Sequence, residues 1–496
     1  MFEKKAGTAK ELIDAGERPH TPQEALKSKI TGALAKGREE GKDYEDVLQS
    51  LYQNTILDTE ALEGLTSALL AGNHVLLFGP SGSGKTGLAK EVLRLFPKEI
   101  IVVDGCPVQD DPFSVVDASY HRAHPCCPFC KERFGGKAIG TFDPKAVDPA
   151  KVPVVTATIR EGHGFARVQG SAEVFPDNLT GTINIRRLEE IGDPMSPLVL
   201  EPGKLLQANR GVLIVDEVGK LPLGTQNVLL QALQESVVSP ARSRETFPAA
   251  FITICTSNID DLDNINEPLN DRLANSYVGF SMSMAKNRAI VRMNAARSVE
   301  GMFVPLVLVD ACINLIIDWR RTTGELYDMS EVGSNRTLID MVTRTGAYAS
   351  LRGSARAGVA DLRRSVRETM LSHVRAKGGD SYVHDKEAIG TFITEHFPDA
   401  MKRSGKDYWC KFVEGPLAGN SERAALVMNE GRLVLDKKPG GRNWSDFDAF
   451  VKGAEPFPGA KDDRMGRTVF SILVKAGTFG GEGVAANDKA APAAEE

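Results

Sequence analysis

Residues 74–86 read HVLLFGPSGSGKT. An apolar run at 74–78 leads into a glycine-rich turn and then into a stretch with helical patterning, Gly84–Phe96. The turn fits G-x-x-x-x-G-K-[ST], and a strand before it with a helix after it is the context in which that pattern cradles phosphate. Its glycines let backbone N–H groups converge on an anion, and the helix N-terminus adds the positive end of its dipole. Gly79, Pro80, Ser81, Gly82, Ser83 and Gly84 are therefore expected to line the phosphates of ATP. Lys85 is expected to reach the β- and γ-phosphates, and Thr86 to hold Mg²⁺.

The second half of such a site is expected in GVLIVDEV, 211–218. An apolar strand there carries Asp216 and Glu217 to its C-terminal end, where open α/β sheets place their ligands. Asp216 is the candidate Mg²⁺ ligand and Glu217 the candidate general base; the competing reading is a solvated pair capping the next helix. FITICTSN, 251–258, is another buried strand ending in polar residues, and it offers Asn258 to position water beside the γ-phosphate. In EPLNDRLANS, Arg272 stands just before the last strand, where a guanidinium can project into a neighbouring subunit and stabilise transition-state charge. A surface ion pair with Asp271 is the plainer alternative.

Strand candidates at 74–78, Ile100–Asp104, Val212–Val215, Phe251–Cys255 and Tyr277–Phe280 alternate with helical stretches, which indicates a parallel α/β sheet. Residues 1–54 read as a loosely held helical extension, 55–282 as the α/β core and 283–378 as an all-helical domain. The segment 105–200, rich in Pro, Gly and Asp, reads as an insertion in the core. Residues 379–480, strand-like around Ala425–Leu435 and Thr468–Val474, form an appended α+β domain, and 481–496 is a disordered tail. The 496 residues carry a net charge of −6, so nothing global argues for nucleic acid, although helix 361–377 is basic. The most apolar stretch, Val304 to Trp319, is broken by Asp310 and reads as a buried helix rather than a membrane span. Seven cysteines in so long a chain and an N-terminus without an apolar core point to a reduced, cytoplasmic protein.

The run EPGKLLQANRGVLIVDEVGKLP, 201–222, resembles the segment around the second ATPase motif of magnesium chelatase ATPase subunits. VQGSAEVFPDNLTGTINIRRLEE, 168–190, resembles both that family and the MoxR proteins, while HVLLFGPSGSGKT and GTQNVLLQALQE are closer to MoxR. The segment 333–375 resembles the chelatase's helical lid, which makes Arg336 a second sensor of nucleotide. The resemblance covers roughly 55–375 and implies a P-loop AAA+ core with a parallel sheet, a helical lid, and a ring, commonly a hexamer, that remodels a client protein. In this family the client often carries a von Willebrand A domain; no D-x-S-x-S loop occurs here, so that domain must lie on another chain. VDEVGKLP and NDRLANS depart from the chelatase pattern and leave the substrate open. A true Mg or Co chelatase subunit and a nucleic-acid motor are the alternatives.

Within 105–200, Cys106, His121, His124, Cys126, Cys127 and Cys130 cluster. Cys127-Pro-Phe-Cys130 can turn two thiolates toward one ion, and Zn²⁺ favours four Cys or His ligands. The expected ligands are Cys127 and Cys130 with two more from Cys106, His121 and His124, Cys106 and His124 first, and Cys126 could replace a neighbour. Free thiols or a redox-active C-x-x-C pair remain open readings.

Overall fold

The computed structural model describes residues 7–135, 142–193, 196–240, 245–326, 333–373, 382–414, 442–454 and 465–476. Its central element is a six-stranded parallel sheet in the order Leu273–Tyr277, His74–Gly79, Ile252–Asn258, Val212–Asp216, Gly164–Gln169 and Arg160–Glu161. Successive side chains leave opposite faces. Val75 and Leu77, Val212 and Ile214, Ile252 and Ile254 enter one core layer. Leu76, Leu213, Val215 and Cys255 enter the other. Strands covered on both faces read as continuous apolar runs, which is why these three were legible in the sequence.

On the first face, the helix after the phosphate turn, Lys85–Leu93, buries Leu88 and Val92 beside the N-terminal helices Pro22–Glu39, Tyr44–Leu51 and Thr59–Leu70. Sequence reading has residues 1–54 loosely held, and the structure corrects this. Leu26, Ile30, Leu48, Leu51 and Tyr52 belong to the same core as the central strands. Their apolar seam is narrow inside a polar sequence, but Leu26 and Ile30 are spaced to share one helix face. A reciprocal cap starts the first of these helices: Glu24 N–H donates to Thr21 Oγ1 at 3.2 Å, and Thr21 N–H to Glu24 Oε2 at 2.9 Å. Asn54 donates from its backbone and its amide to Glu91, tying the extension to the helix after the phosphate turn.

Two further corrections concern strands. Ile100–Asp104 does form a strand, Glu99–Val103, but outside the main sheet. It pairs antiparallel with Pro153–Thr158, which also pairs with Gly7–Thr8. The strand beside Val212–Asp216 is instead Gly164–Gln169, inside the segment read as an insertion. Its alternation of Ala166 and Val168, both buried, with Arg167 and Gln169 lacks the long apolar run of the other core strands.

The chain divides into compact units Met1–Gly279 and Phe280–Glu496. The described part of the second unit is helical, built on Met284–Ala295, Leu306–Leu326, Asn335–Leu351, Val359–His373, Tyr382–Glu414, Arg442–Ala454 and Met465–Lys475. Asp310, the charge inside the apolar stretch, is buried and held by both Arg288 Nε and Nη2, at 2.6 and 2.7 Å. Thr468–Val474 is helical rather than strand-like: Met465, Val469, Ile472 and Leu473 recur at helical spacing and are buried. Ala425–Leu435 and the tail from 481 lie outside the described residues. The appended α+β domain is thus helical wherever it is described.

His74 opens the strand that leads to the phosphate turn. Burial pushes its imidazole down to about 4, and its Nδ1 stands 3.1 Å from the Thr253 N–H, which donates to it. An unfolded chain holds its histidines near 6.5, so it binds a proton here that the folded chain refuses, and stability falls as pH drops from about 6.5 towards 4. At pH 5 the loss from this residue is expected to be roughly 1–2 kcal/mol relative to pH 7. His74→Asn offers an amide oxygen to the same N–H and does not titrate, so urea titrations at the two pH values should show a smaller acid loss in the variant. An equal loss in both proteins would refute the assignment.

Candidate active site

The turn after His74–Gly79 is shaped by backbone that favours glycine. Gly79, Gly82 and Gly84 have φ of +154°, +73° and +106°. At Gly79 a Cβ would also stand 2.2 Å from the Val278 carbonyl oxygen, so the last core segment can press against the turn. Gly84 caps the helix that begins with Lys85 and Thr86. Lys85 is buried, and its ammonium donates to Gly79 O at 3.0 Å, Pro80 O at 2.8 Å and Asn258 Oδ1 at 3.1 Å. Burial pulls its pKa down to about 8 against the raising influence of Asp216 and Glu217. Lys85 and Asn258, 173 positions apart, thus meet at the turn.

Asp216 ends its strand and collects three donors. Thr86 Oγ1 donates to Oδ1 at 2.8 Å, Thr256 Oγ1 to the same oxygen at 2.6 Å, and Arg167 Nη2 to Oδ2 at 2.5 Å. Burial opposes ionisation of this carboxyl, but the bonds from Thr256, Arg167 and Thr86 outweigh it and hold the pKa below the ordinary value. Two hard oxygen donors, the Thr86 hydroxyl and an ionised Asp216, side by side at a helix start suit Mg²⁺.

Glu217 follows in the left-handed region, φ +55°. Its N–H donates to Thr256 Oγ1 at 3.0 Å, so one buried hydroxyl organises both acidic residues. Its carboxylate accepts from Gln169 Nε2 at 2.9 Å and Lys220 Nζ at 3.1 Å. Gly170 makes room for this chain path: a Cβ there would lie 2.0 Å from Glu217 O. Arg167, Gln169, Thr256 and Lys220 were not singled out in the sequence. Thr256 could have been, as a polar residue inside a buried strand. Arg167 and Gln169 needed the knowledge that 164–169 flanks the acidic strand.

Arg272 is exposed after the short helix Glu267–Asn270, and its guanidinium donates to Pro268 O and Gln234 Oε1. Among the described residues no ion pair joins it to Asp271. Arg336 is exposed in the first turn of Asn335–Leu351, in the second unit. The sulfurs of Cys106, Cys127 and Cys130 converge, but His124 is not with them. Its ring lies against Tyr120, 4.6 Å between centroids, and Asp110 takes the fourth place.

Strand order, phosphate turn and acidic strand define a P-loop ATPase. Residues 71–298 match the family model described as the PrkA AAA domain, so this stretch is an AAA+ ATPase domain. The chain is similar to an archaeal Lon protease of Methanothermobacter thermautotrophicus, at 22% identity over 88% of this chain and 78% of the relative. It is also similar to the magnesium-chelatase 67 kDa subunit of Heliobacterium mobile, at 29% identity over 40% of this chain and 26% of the relative. A magnesium-chelatase subunit ChlI homolog of Methanocaldococcus jannaschii matches at 28% identity over 38% of this chain and 42% of the relative. The chain thus spans less than half the length of these chelatase relatives.

Glu217→Gln keeps side-chain shape and can still bond Gln169, but it removes a base. Turnover should fall by about 10²–10⁴-fold while nucleotide affinity, read by calorimetry, stays within a few-fold of wild type. Hydrolysis at the wild-type rate would show that another group activates the water.

Proposed function

We propose that this chain is a Mg²⁺-dependent ATPase that works as a ring, commonly a hexamer in the family it resembles, and uses hydrolysis to remodel a partner protein. Thr86 and Asp216 would hold the Mg²⁺, which neutralises charge on the β- and γ-phosphates. Lys85 orients the phosphates, Asn258 helps place the water and Glu217 takes its proton. Arg336 keeps the role of a lid-borne sensor implied by the resemblance.

The observation that carries the ring is Arg272. It is exposed, and its hydrogen bonds go to Pro268 and Gln234 rather than to Lys85, Thr86, Asp216 or Glu217. A guanidinium needed at the γ-phosphate is then best supplied to a neighbour's site. For the client, the supporting feature is apolar exposure on the segment that resembles both families: Phe175 is 61% and Ile185 72% exposed. The family resemblance makes a protein with a von Willebrand A domain the first candidate partner. A subunit of a true Mg or Co chelatase is the second reading, favoured by the names of two relatives. The nucleic-acid reading is weaker, because basic side chains of helix Val359–His373 are engaged within the protein: Arg364 lies over the Tyr348 ring and Arg367 pairs with Glu368. No helix among the described residues is long and apolar enough to cross a membrane. None of the seven cysteines is joined in a disulfide, which fits a reducing compartment such as the cytoplasm.

Arg272→Ala should lower turnover by about 10³-fold and leave nucleotide affinity nearly unchanged. Mixing it with the Glu217→Gln protein should restore part of the activity, since some interfaces then join an intact base to an intact arginine. A dilute monomer with full activity, or no recovery on mixing, would count against the ring.

A further inference from the structure

We propose that Cys106, Asp110, Cys127 and Cys130 form a structural Zn²⁺ site, closed by four protein ligands, that staples the helix Pro128–Gly135 to the loop behind the acidic strand. The four ligand atoms lie within 4.8 Å of one another and all are buried. Cys106 Sγ and Cys127 Sγ are 3.7 Å apart. Two sulfurs each about 2.3 Å from a tetrahedral Zn²⁺ stand about 3.8 Å apart, whereas a disulfide would hold them at about 2.05 Å.

The surroundings are those of thiolate ligands. Asp110 N–H points at Cys106 Sγ, 3.3 Å away, and Cys130 N–H at Cys127 Sγ, 3.4 Å away. Such bonds offset negative charge on sulfur and fix its direction. Cys127 N–H donates to Asp110 Oδ2 at 2.8 Å, which aims the carboxylate. Asp110 is 2% exposed, and among the described residues no cation pairs with it; the nearby Arg210 is bonded to Asp111 instead, at 2.7 Å. A buried polar group needs a partner for its lone pairs, and Asp110 Oδ2 has the Cys127 N–H while a divalent ion would give the carboxylate a metal to coordinate. Gln109, just before it, sits at φ +61°, a conformation non-glycine residues seldom adopt. Thiolates with a carboxylate and no open position favour zinc in a structural role. His121 is taken up by the Ser114 carbonyl, 2.6 Å from its Nδ1, and His124 by Tyr120, so neither histidine competes.

The site's place in the fold gives it a consequence. Val108 O accepts from Asn209 Nδ2 at 2.7 Å, and Asp111 pairs with Arg210. Those two residues stand immediately before Val212–Asp216. The loop that carries two ligands is therefore bolted to the base of the strand that carries Asp216.

The test uses the full chain purified without chelators or metal-affinity resin. Elemental analysis should find about one zinc per chain, released when a mercurial titrates the thiols. In the Co²⁺-substituted protein, thiolate-to-metal absorption and intense tetrahedral d–d bands should appear. Asp110→Ala should weaken Zn²⁺ binding at least about 100-fold in chelator competition. Asp110→Cys should restore it with added thiolate absorption, which separates loss of a ligand from misfolding. His124→Ala should change nothing. The proposal fails if zinc stays below about a tenth per chain after reconstitution in reducing buffer with Zn²⁺. It also fails if mass spectrometry finds a Cys127–Cys130 disulfide in place of metal, or if binding depends on His124 and not on Asp110.

Discussion

The bond from Thr86 Oγ1 to Asp216 Oδ1 joins residues 130 positions apart, and the active site is arranged around it. Thr86 belongs to the helix that follows the glycine-rich turn, and Asp216 to the strand two positions in the sheet from the one that leads into that turn. Between them runs Ile252–Asn258, which supplies Thr256 to the same oxygen and Asn258 to Lys85. A carboxylate this buried is costly unless its lone pairs are satisfied. Asp216 meets that demand with donors from three elements, so any shift of one strand along another breaks a charge-assisted bond. The chemistry and the register of the sheet are held by the same contacts.

Arg167 adds a constraint of a different kind. Its guanidinium on Asp216 Oδ2 puts a positive charge where a divalent cation would also be attracted. Donors from the protein alone therefore hold the carboxylate ionised and oriented. Lys85 behaves likewise, since three acceptors fix its ammonium at the glycine-rich turn. Preorganisation of this sort moves the cost of ordering long side chains from binding to folding.

What could be read in the sequence follows from how each element is buried. Strands packed on both faces leave apolar runs, and phosphate turns leave glycines at set offsets; His74–Gly79, Val212–Asp216 and Ile252–Asn258 were visible for these reasons. Gly164–Gln169 was not, because it lies towards the edge of the sheet and turns Arg167 and Gln169 toward the acidic pair, so its pattern looked like that of a loop. The N-terminal helices leave a weak signal because their seam needs only a few apolar residues each, Leu26 and Ile30 in the first and Leu48 and Leu51 in the next. The thiol cluster was legible in its cysteines and not in its carboxylate. Asp110 enters through the unusual backbone of Gln109, and no spacing rule for Cys and His points to it.

The strand Val212–Asp216 is where these separate features meet. At its far end Asp216 and Glu217 face the phosphate turn. At its near end Asn209 and Arg210 grip the loop of Cys106 and Asp110, and Asn209 Oδ1 also accepts the N–H of Ala250, just before the next strand. A five-residue strand spans only about 16 Å, and parallel neighbours on both sides prevent it from bending independently. Disorder introduced at 106–135 therefore has a short, stiff path to the acidic pair. The segment that interrupts the minimal sheet pattern is better regarded as a foundation for the acidic strand than as an appendage, and this accounts for polar bonds as specific as Asn209 to Val108 being buried between them.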